Sequence, residues 1–146
     1  MKKCVAVLLI ASLCSLGAYF LATASPKPPV PDVSAAGKKV PVIQGSYCWK
    51  AFFSTKCVDW AYAPPLKIGN RQEPVEVAPS SPIKIHFEKE PVSLSVKRKI
   101  NEEKEINVKM MNQKINAPSE SGTYVYHLIV NWRQGDGSYV FRIKVK

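Results

Sequence analysis

Apolar and polar residues alternate in short runs through the second half of the chain. Ile83, Ile85 and Phe87 alternate with Lys84, His86 and Glu88; Val92, Leu94 and Val96 alternate with Ser93, Ser95 and Lys97. Ile106, Val108 and Met110 alternate with Asn107 and Lys109. Tyr124, Tyr126, Leu128, Val130 and Trp132 make one apolar set, and Tyr139, Phe141, Ile143 and Val145 make another against Arg142, Lys144 and Lys146. Successive side chains of a strand point to opposite faces, so each set can line a core while its partners meet water. No long stretch carries the i, i+3, i+4, i+7 spacing of an amphipathic helix. Lys97 to Asn107 has room for a helical turn or two but too few apolar residues to anchor one. The periodicity predicts an all-β domain. Its clearest element is a hairpin in which residues 123–133 and 138–146 pair antiparallel across Gln134-Gly135-Asp136-Gly137, where Asp-Gly is a strong turn signal.

The N-terminus follows a different rule. Lys2 and Lys3 precede a run from Cys4 to Pro26 with no charged residue and mostly apolar side chains. Ala22-Thr23-Ala24 has the small-x-small form that signal peptidase cuts. Three fates fit residues 1–24: cleavage as a signal peptide, retention as a membrane anchor with the lysines inside, or lipidation at Cys14. The bulky Leu13 before that cysteine counts against lipidation. Each places the rest of the chain outside the cytoplasm. Residues 25–45 then predict a tether, since Pro26, Pro28, Pro29, Pro31 and Pro41 favour extended backbone and Ala35-Ala36-Gly37 loosens its middle. The folded domain is expected over 46–146.

Charge and cysteine content refine this picture. Removing residues 1–24 takes away two lysines and no acid, leaving 19 basic and 11 acidic residues, a net of +8. Such a surface suits an anionic neighbourhood, lipid headgroups or acidic polymer, and equally a soluble surface of dispersed lysines. No nucleic-acid motif accompanies it. Cys4 and Cys14 lie in the targeting segment, so only Cys48 and Cys57 reach the domain. In an oxidising compartment an isolated pair of this kind predicts a disulfide, worth about 2.7 kcal/mol for so short a ring. No histidine lies nearby to complete a metal site with the two thiols, so neither a metal nor a cofactor is expected.

The cystine-bounded neighbourhood is the best candidate site. Tyr47, Trp49, Phe52, Phe53, Trp60 and Tyr62 put six of the chain's fourteen aromatics within sixteen residues. Trp49, Phe52, Phe53 and Trp60 are candidate binding residues, with Lys50 and Lys56 as electrostatic support, because aromatics with a polar handle dominate binding hot spots. The competing reading is that these rings close one end of the core. His86 and His127 fall on the outward sets of their strands without an acid or nucleophile at catalytic spacing, and Asp59 is expected to cap a turn. The phosphate-loop, zinc-protease, nucleophile-elbow and calcium-loop motifs are all missing from the sequence. An enzyme is therefore not expected.

Two resemblances follow from particular residues. Ser121-Gly122-Thr123-Tyr124-Val125-Tyr126 resembles the penultimate strand of immunoglobulin-like domains, where a Gly-x-Tyr forms a tyrosine corner. The resemblance covers residues 66–146 and implies that the Tyr124 phenol bonds back to upstream backbone. Tyr126 stands where antibody domains place their second intersheet cysteine, so the fold implied is a small immunoglobulin-like or fibronectin-like antiparallel sandwich without that bridge. Gly45-Ser46-Tyr47-Cys48-Trp49, Cys57-Val58-Asp59 and Pro64-Pro65-Leu66, with the Gly122-Thr123-Tyr124, Asn131-Trp132 and Tyr139-Val140-Phe141 ending, resemble a family of small exported or membrane-associated proteins of Gram-positive bacteria. That family has no assigned activity, and the Lys50–Lys56 insertion between the cysteines is not part of the likeness. The functional expectation is an exported, cell-surface binding module for an envelope protein or an anionic surface polymer, joined to the membrane through residues 1–24 if these are retained. An accessory structural β-domain without a discrete ligand is the alternative, and an envelope enzyme or enzyme inhibitor the third.

Overall fold

Two β-sheets stack face to face, and nearly all the alternating runs supply their strands. The structure, a computed structural model, describes residue 12 and residues 27–51, 54–60 and 64–146. The strands are β1 (Asp32–Ala35), β2 (Lys38–Val40), β3 (Val42–Lys50), β4 (Thr55–Val58), β5 (Val75–Val77), β6 (Pro82–His86), β7 (Ser93–Lys99), β8 (Glu105–Asn107), β9 (Lys114–Asn116), β10 (Gly122–Trp132) and β11 (Gly135–Val145). One short helix, α1 (Pro65–Gly69), lies between β4 and β5. Strands β2-β1-β6-β9 form a four-stranded sheet and β4-β3-β11-β10-β7-β8 the larger one, with β5 pairing beside β11. Every strand pairing is antiparallel except that of β5 with β11.

From β5 onward the strands follow an immunoglobulin-like Greek key. β6 pairs β9 in one sheet, while β11, β10 and β7 lie side by side in the other. Many core residues are inward members of the alternating runs, joined by Val33, Val40, Tyr47, Trp49, Val77 and Ile115 from outside them, whereas Val92 and Ile106 of those runs are exposed. Val33, Ile83, Ile85 and Ile115 on one sheet face Leu128, Val130, Tyr139, Phe141 and Ile143 on the other. Tyr126 stacks on Phe141 at 4.9 Å, and its burial raises the phenol to about 12 against the opposing pull of Arg98. At one end, Trp132 meets Trp49 and Phe87 edge-on, each at 5.4 Å. The Trp132 indole N–H donates to the Lys89 carbonyl at 3.0 Å, so this ring is buried without losing its hydrogen bond.

The structure departs from the expected tether over residues 25–45. Asp32–Ala35 and Lys38–Val40 form a hairpin in the four-stranded sheet, with Val33, Ala35 and Val40 in the core. Ala36 and Gly37, at φ of 50° and 75°, make its two-residue turn. Pro28 and Pro31 are buried as well, and the Tyr139 phenol donates to the Pro29 carbonyl at 2.6 Å. Proline density was a misleading guide: the prolines cover an edge of the sandwich, and three small apolar residues pay their way in the core. The folded unit thus starts well before residue 46.

The last hairpin pairs as its alternation requires, but the turn is shifted. Trp132 lies opposite Gly135, which leaves Arg133-Gln134 as the connection. Asp136 and Gly137 belong to β11 and pair with Cys48 and Tyr47 of β3. A Cβ on Gly135 would stand 2.0 Å from the Cys48 carbonyl oxygen, so its glycine serves close backbone approach. Lys97–Asn107, with room for a helical turn, is the β7–β8 hairpin. Tyr124 begins the inward set of β10, its phenol donating to the Glu120 carbonyl at 2.9 Å.

Candidate functional site

The cystine loop is a two-stranded ribbon on the edge of the larger sheet. Cys48 of β3 and Cys57 of β4 are direct cross-strand partners, with Cα atoms 4.1 Å apart, and are joined by a disulfide. Among the described candidates, Lys56 lies directly opposite Trp49, but Trp49 and Trp60 are separated. Trp49 points into the core at 8% exposure and packs against Trp132, with the Lys89 ammonium 5.9 Å from its ring centre. It is not a surface anchor, because β3 turns its ring inward in step with Tyr47. Lys50 is exposed at the ribbon end, and Lys56 is half-buried on β4. Phe52 and Phe53, together with Tyr62, lie outside the described residues.

Trp60 takes the opposite course. It is 39% exposed and lines a groove of about 350 Å³ on the outer face of the larger sheet. Pro64, Pro65 and Ile68 of the following segment form one wall, while His127, Ile129 and Val140 form part of the floor. The cause is local. Opposite Gly137 and Tyr139 of β11, β3 carries an extra residue at Gly45-Ser46, a β-bulge that shifts the alternation. Gln44 and Tyr47 can then both serve the inner side while Ser46 turns outward. The Ser46 hydroxyl accepts the Trp60 backbone N–H at 2.9 Å and donates to the Asp59 carboxylate at 3.1 Å. Ser138 donates to the Ser46 carbonyl at 3.1 Å, and a Cβ on Gly45 would press on the Ser138 hydroxyl at 2.5 Å. Asp59 therefore acts in this cross-loop clamp.

α1 closes the groove from the side. Ile68 is buried with Val125 and Val140 in a small second core, and Leu66 and Ile43 pack against it. Arg142 donates to the carbonyls of Asn70 and Gln72 at 3.3 and 3.1 Å and fixes the segment after the helix.

His127 lies in the outward set, as expected, but is largely covered. Its Nδ1 is 3.7 Å from Glu105 and has no hydrogen-bond partner. Burial is the largest influence and holds the imidazole below its ordinary value; Glu105 opposes this, and Lys99 and Lys97 reinforce it. Glu105 is itself held below the usual carboxylate range, first by its hydrogen bond from Lys97. His86, by contrast, is exposed and within 3.2 Å of Gln113.

The local concentration of aromatics marked Trp60 as a candidate but missed Ser46 and Ser138. A bulge cannot be read from alternation, although the Gly-Ser pair before Tyr47 is a compatible signal. Among the described residues no three His, Cys, Asp or Glu side chains are grouped to hold a metal ion, and no helix is long and apolar enough to cross a membrane. No family model matches the chain, nor does any curated protein or solved structure.

Proposed function

We propose that the protein is an exported, non-enzymatic interaction module of the cell envelope that engages its partner around Trp60. The supporting observation is the contrast between two tryptophans eleven residues apart in the chain. Trp49 is spent on the core, whereas Trp60 is held at the surface by a built hydrogen-bond clamp. An indole left partly in water gives up burial energy of order 1 kcal/mol or more, and a partner that covers it recovers that energy. The groove combines apolar walls with the Asp59, Ser46 and Ser138 oxygens, the mixture from which binding hot spots are made. The partner class is an envelope protein or an anionic surface polymer, and the address rests on the uncharged run at residues 4–26.

Co-sedimentation of the wild-type chain and its Trp60→Ala variant with host envelope material tests this reading. Binding should fall at least tenfold on loss of about 1.4 kcal/mol of contact, while the far-UV spectrum remains that of a β-protein. Unchanged binding by a folded variant refutes the assignment of Trp60. The burial of Trp49 favours a second reading, an accessory β-domain without a discrete ligand. Under that reading neither chain sediments with the envelope beyond the level set by residues 1–24.

A further inference from the structure

We infer that the outer face of the four-stranded sheet is a docking surface for an anionic lipid bilayer, turning the Trp60 groove away from the membrane. The inference rests on the export reading with residues 1–24 retained. Its starting point is one row of outward side chains. Ser34 of β1 pairs with Lys39 of β2 and with Lys84 of β6, Lys84 pairs with Lys114 of β9, and Lys114 bridges to Met111. Directly paired residues share a face. The neighbouring positions Val33, Val40, Ile83 and Ile115 are buried in the core, so this row points outward.

The row holds three lysines and no acid. Lys84 and Lys114 stand directly opposite one another, an arrangement that destabilises a sheet by like-charge repulsion. Asp32, in the next row, is 3.7 Å from Lys39 and leaves the face positive. Met111 adds an apolar side chain, 65% exposed, at the end of the row. Lysines flanking an exposed apolar residue on a flat surface suit a layer of anionic headgroups above acyl chains. Such a layer would also relieve the Lys84–Lys114 repulsion.

The course of the chain selects the bilayer over a free polymer. Only Ser25 to Pro31 separate the Ala22-Thr23-Ala24 motif from the first strand. Seven residues span no more than about 25 Å when fully extended, and Pro28, Pro29 and Pro31 already pack on the domain. An anchored apolar segment therefore holds β1, a central strand of the lysine face, close to the headgroups. A short leash of this kind raises the effective concentration of the face at the membrane. The groove at Trp60 belongs to the outer face of the other sheet, on the far side of the sandwich, and so stays open to a partner.

Amine footprinting of the full chain reconstituted in vesicles tests the inference. Lysine modification is read by mass spectrometry in phosphatidylglycerol-rich and in pure phosphatidylcholine vesicles. A lysine near an anionic leaflet is worth roughly fivefold in partition, so three give about a hundredfold. Lys39, Lys84 and Lys114 should be modified at least tenfold more slowly in the anionic vesicles, and high salt should abolish the difference. Lys67 on α1 and Lys50 should react equally in both. A Lys84→Glu, Lys114→Glu double variant should lose the protection of Lys39 while keeping its β-spectrum. Equal reactivity in the two vesicle types overturns the inference, as does protection of Lys67 to the same degree. Equivalent protection in neutral vesicles by added soluble polyphosphate also overturns it, in favour of an anionic polymer. These readouts do not involve Trp60, so failure here leaves the groove assignment standing, and failure at the groove leaves this face to be judged separately.

Discussion

The Ser46 hydroxyl accepts the backbone N–H of Trp60 at 2.9 Å, across fourteen residues of sequence. The same oxygen donates to Asp59, so one side chain ties the strand bulge to the loop carrying the exposed indole. Ser46→Ala removes both bonds. The expected cost is about 1 kcal/mol of stability, measured by urea denaturation. Envelope binding should weaken by more than that small loss explains, because Trp60 is no longer held. A variant with wild-type binding contradicts the positioning role of Ser46.

Gly135→Ala should be far more damaging than its size suggests. The added methyl carbon would meet the Cys48 carbonyl oxygen at 2.0 Å, on backbone that β3 and β11 share. Backbone does not yield as a flexible side chain does, so the expected destabilisation is about 2 kcal/mol or more. A lower urea midpoint with an intact Cys48–Cys57 disulfide is the predicted result. An unchanged midpoint contradicts the close approach.

Ala36→Asn separates a folded hairpin from a tether. Ala36 holds a φ of 50°, a conformation that costs a residue with a Cβ about 1 kcal/mol and that asparagine tolerates better. The substitution should stabilise the domain by roughly 0.5 kcal/mol, read as a rise in the thermal midpoint. In a mobile spacer it would change nothing.

Stability should fall in two stages on acidification. The folded value of His127 lies below its unfolded one because of burial. Its contribution is therefore complete above the ordinary imidazole range, about 6.5, and is lost as pH falls through the folded value. Glu105, lowered chiefly by Lys97, behaves likewise further down: its contribution is complete above about 4.5 and is lost as pH falls through its folded value. Urea midpoints measured from about pH 8 to about pH 2 follow both stages. His127→Gln should remove the upper stage alone, and a wild-type midpoint that stays flat between about pH 7 and pH 5 contradicts the burial argument.

Much of the fold was legible in the alternation, and the failures have specific causes. From Ile83 to Val145 period-two runs mark most of the strands, because one side of each sheet is buried and the other is wet. The hairpin turn was misplaced because Asp136-Gly137, a strong local turn signal, is claimed by pairing with β3. The first hairpin was hidden because Val33, Ala35 and Val40 are too few and too small to stand out among prolines. At the site, Trp60 was named from composition alone, but so was Trp49, and only packing against Trp132 tells them apart. The lysine row is invisible in sequence, since Lys39, Lys84 and Lys114 come from three separate strands and meet only through sheet register.

Both proposed surfaces depend on the domain lying outside the cell membrane. Treating intact host cells with a membrane-impermeant amine reagent, followed by mass spectrometry of the recovered chain, addresses that dependence directly. The account predicts modification of Lys67 on intact cells, with Cys48 and Cys57 recovered as a disulfide. Modification only after lysis, with both thiols free, would contradict it.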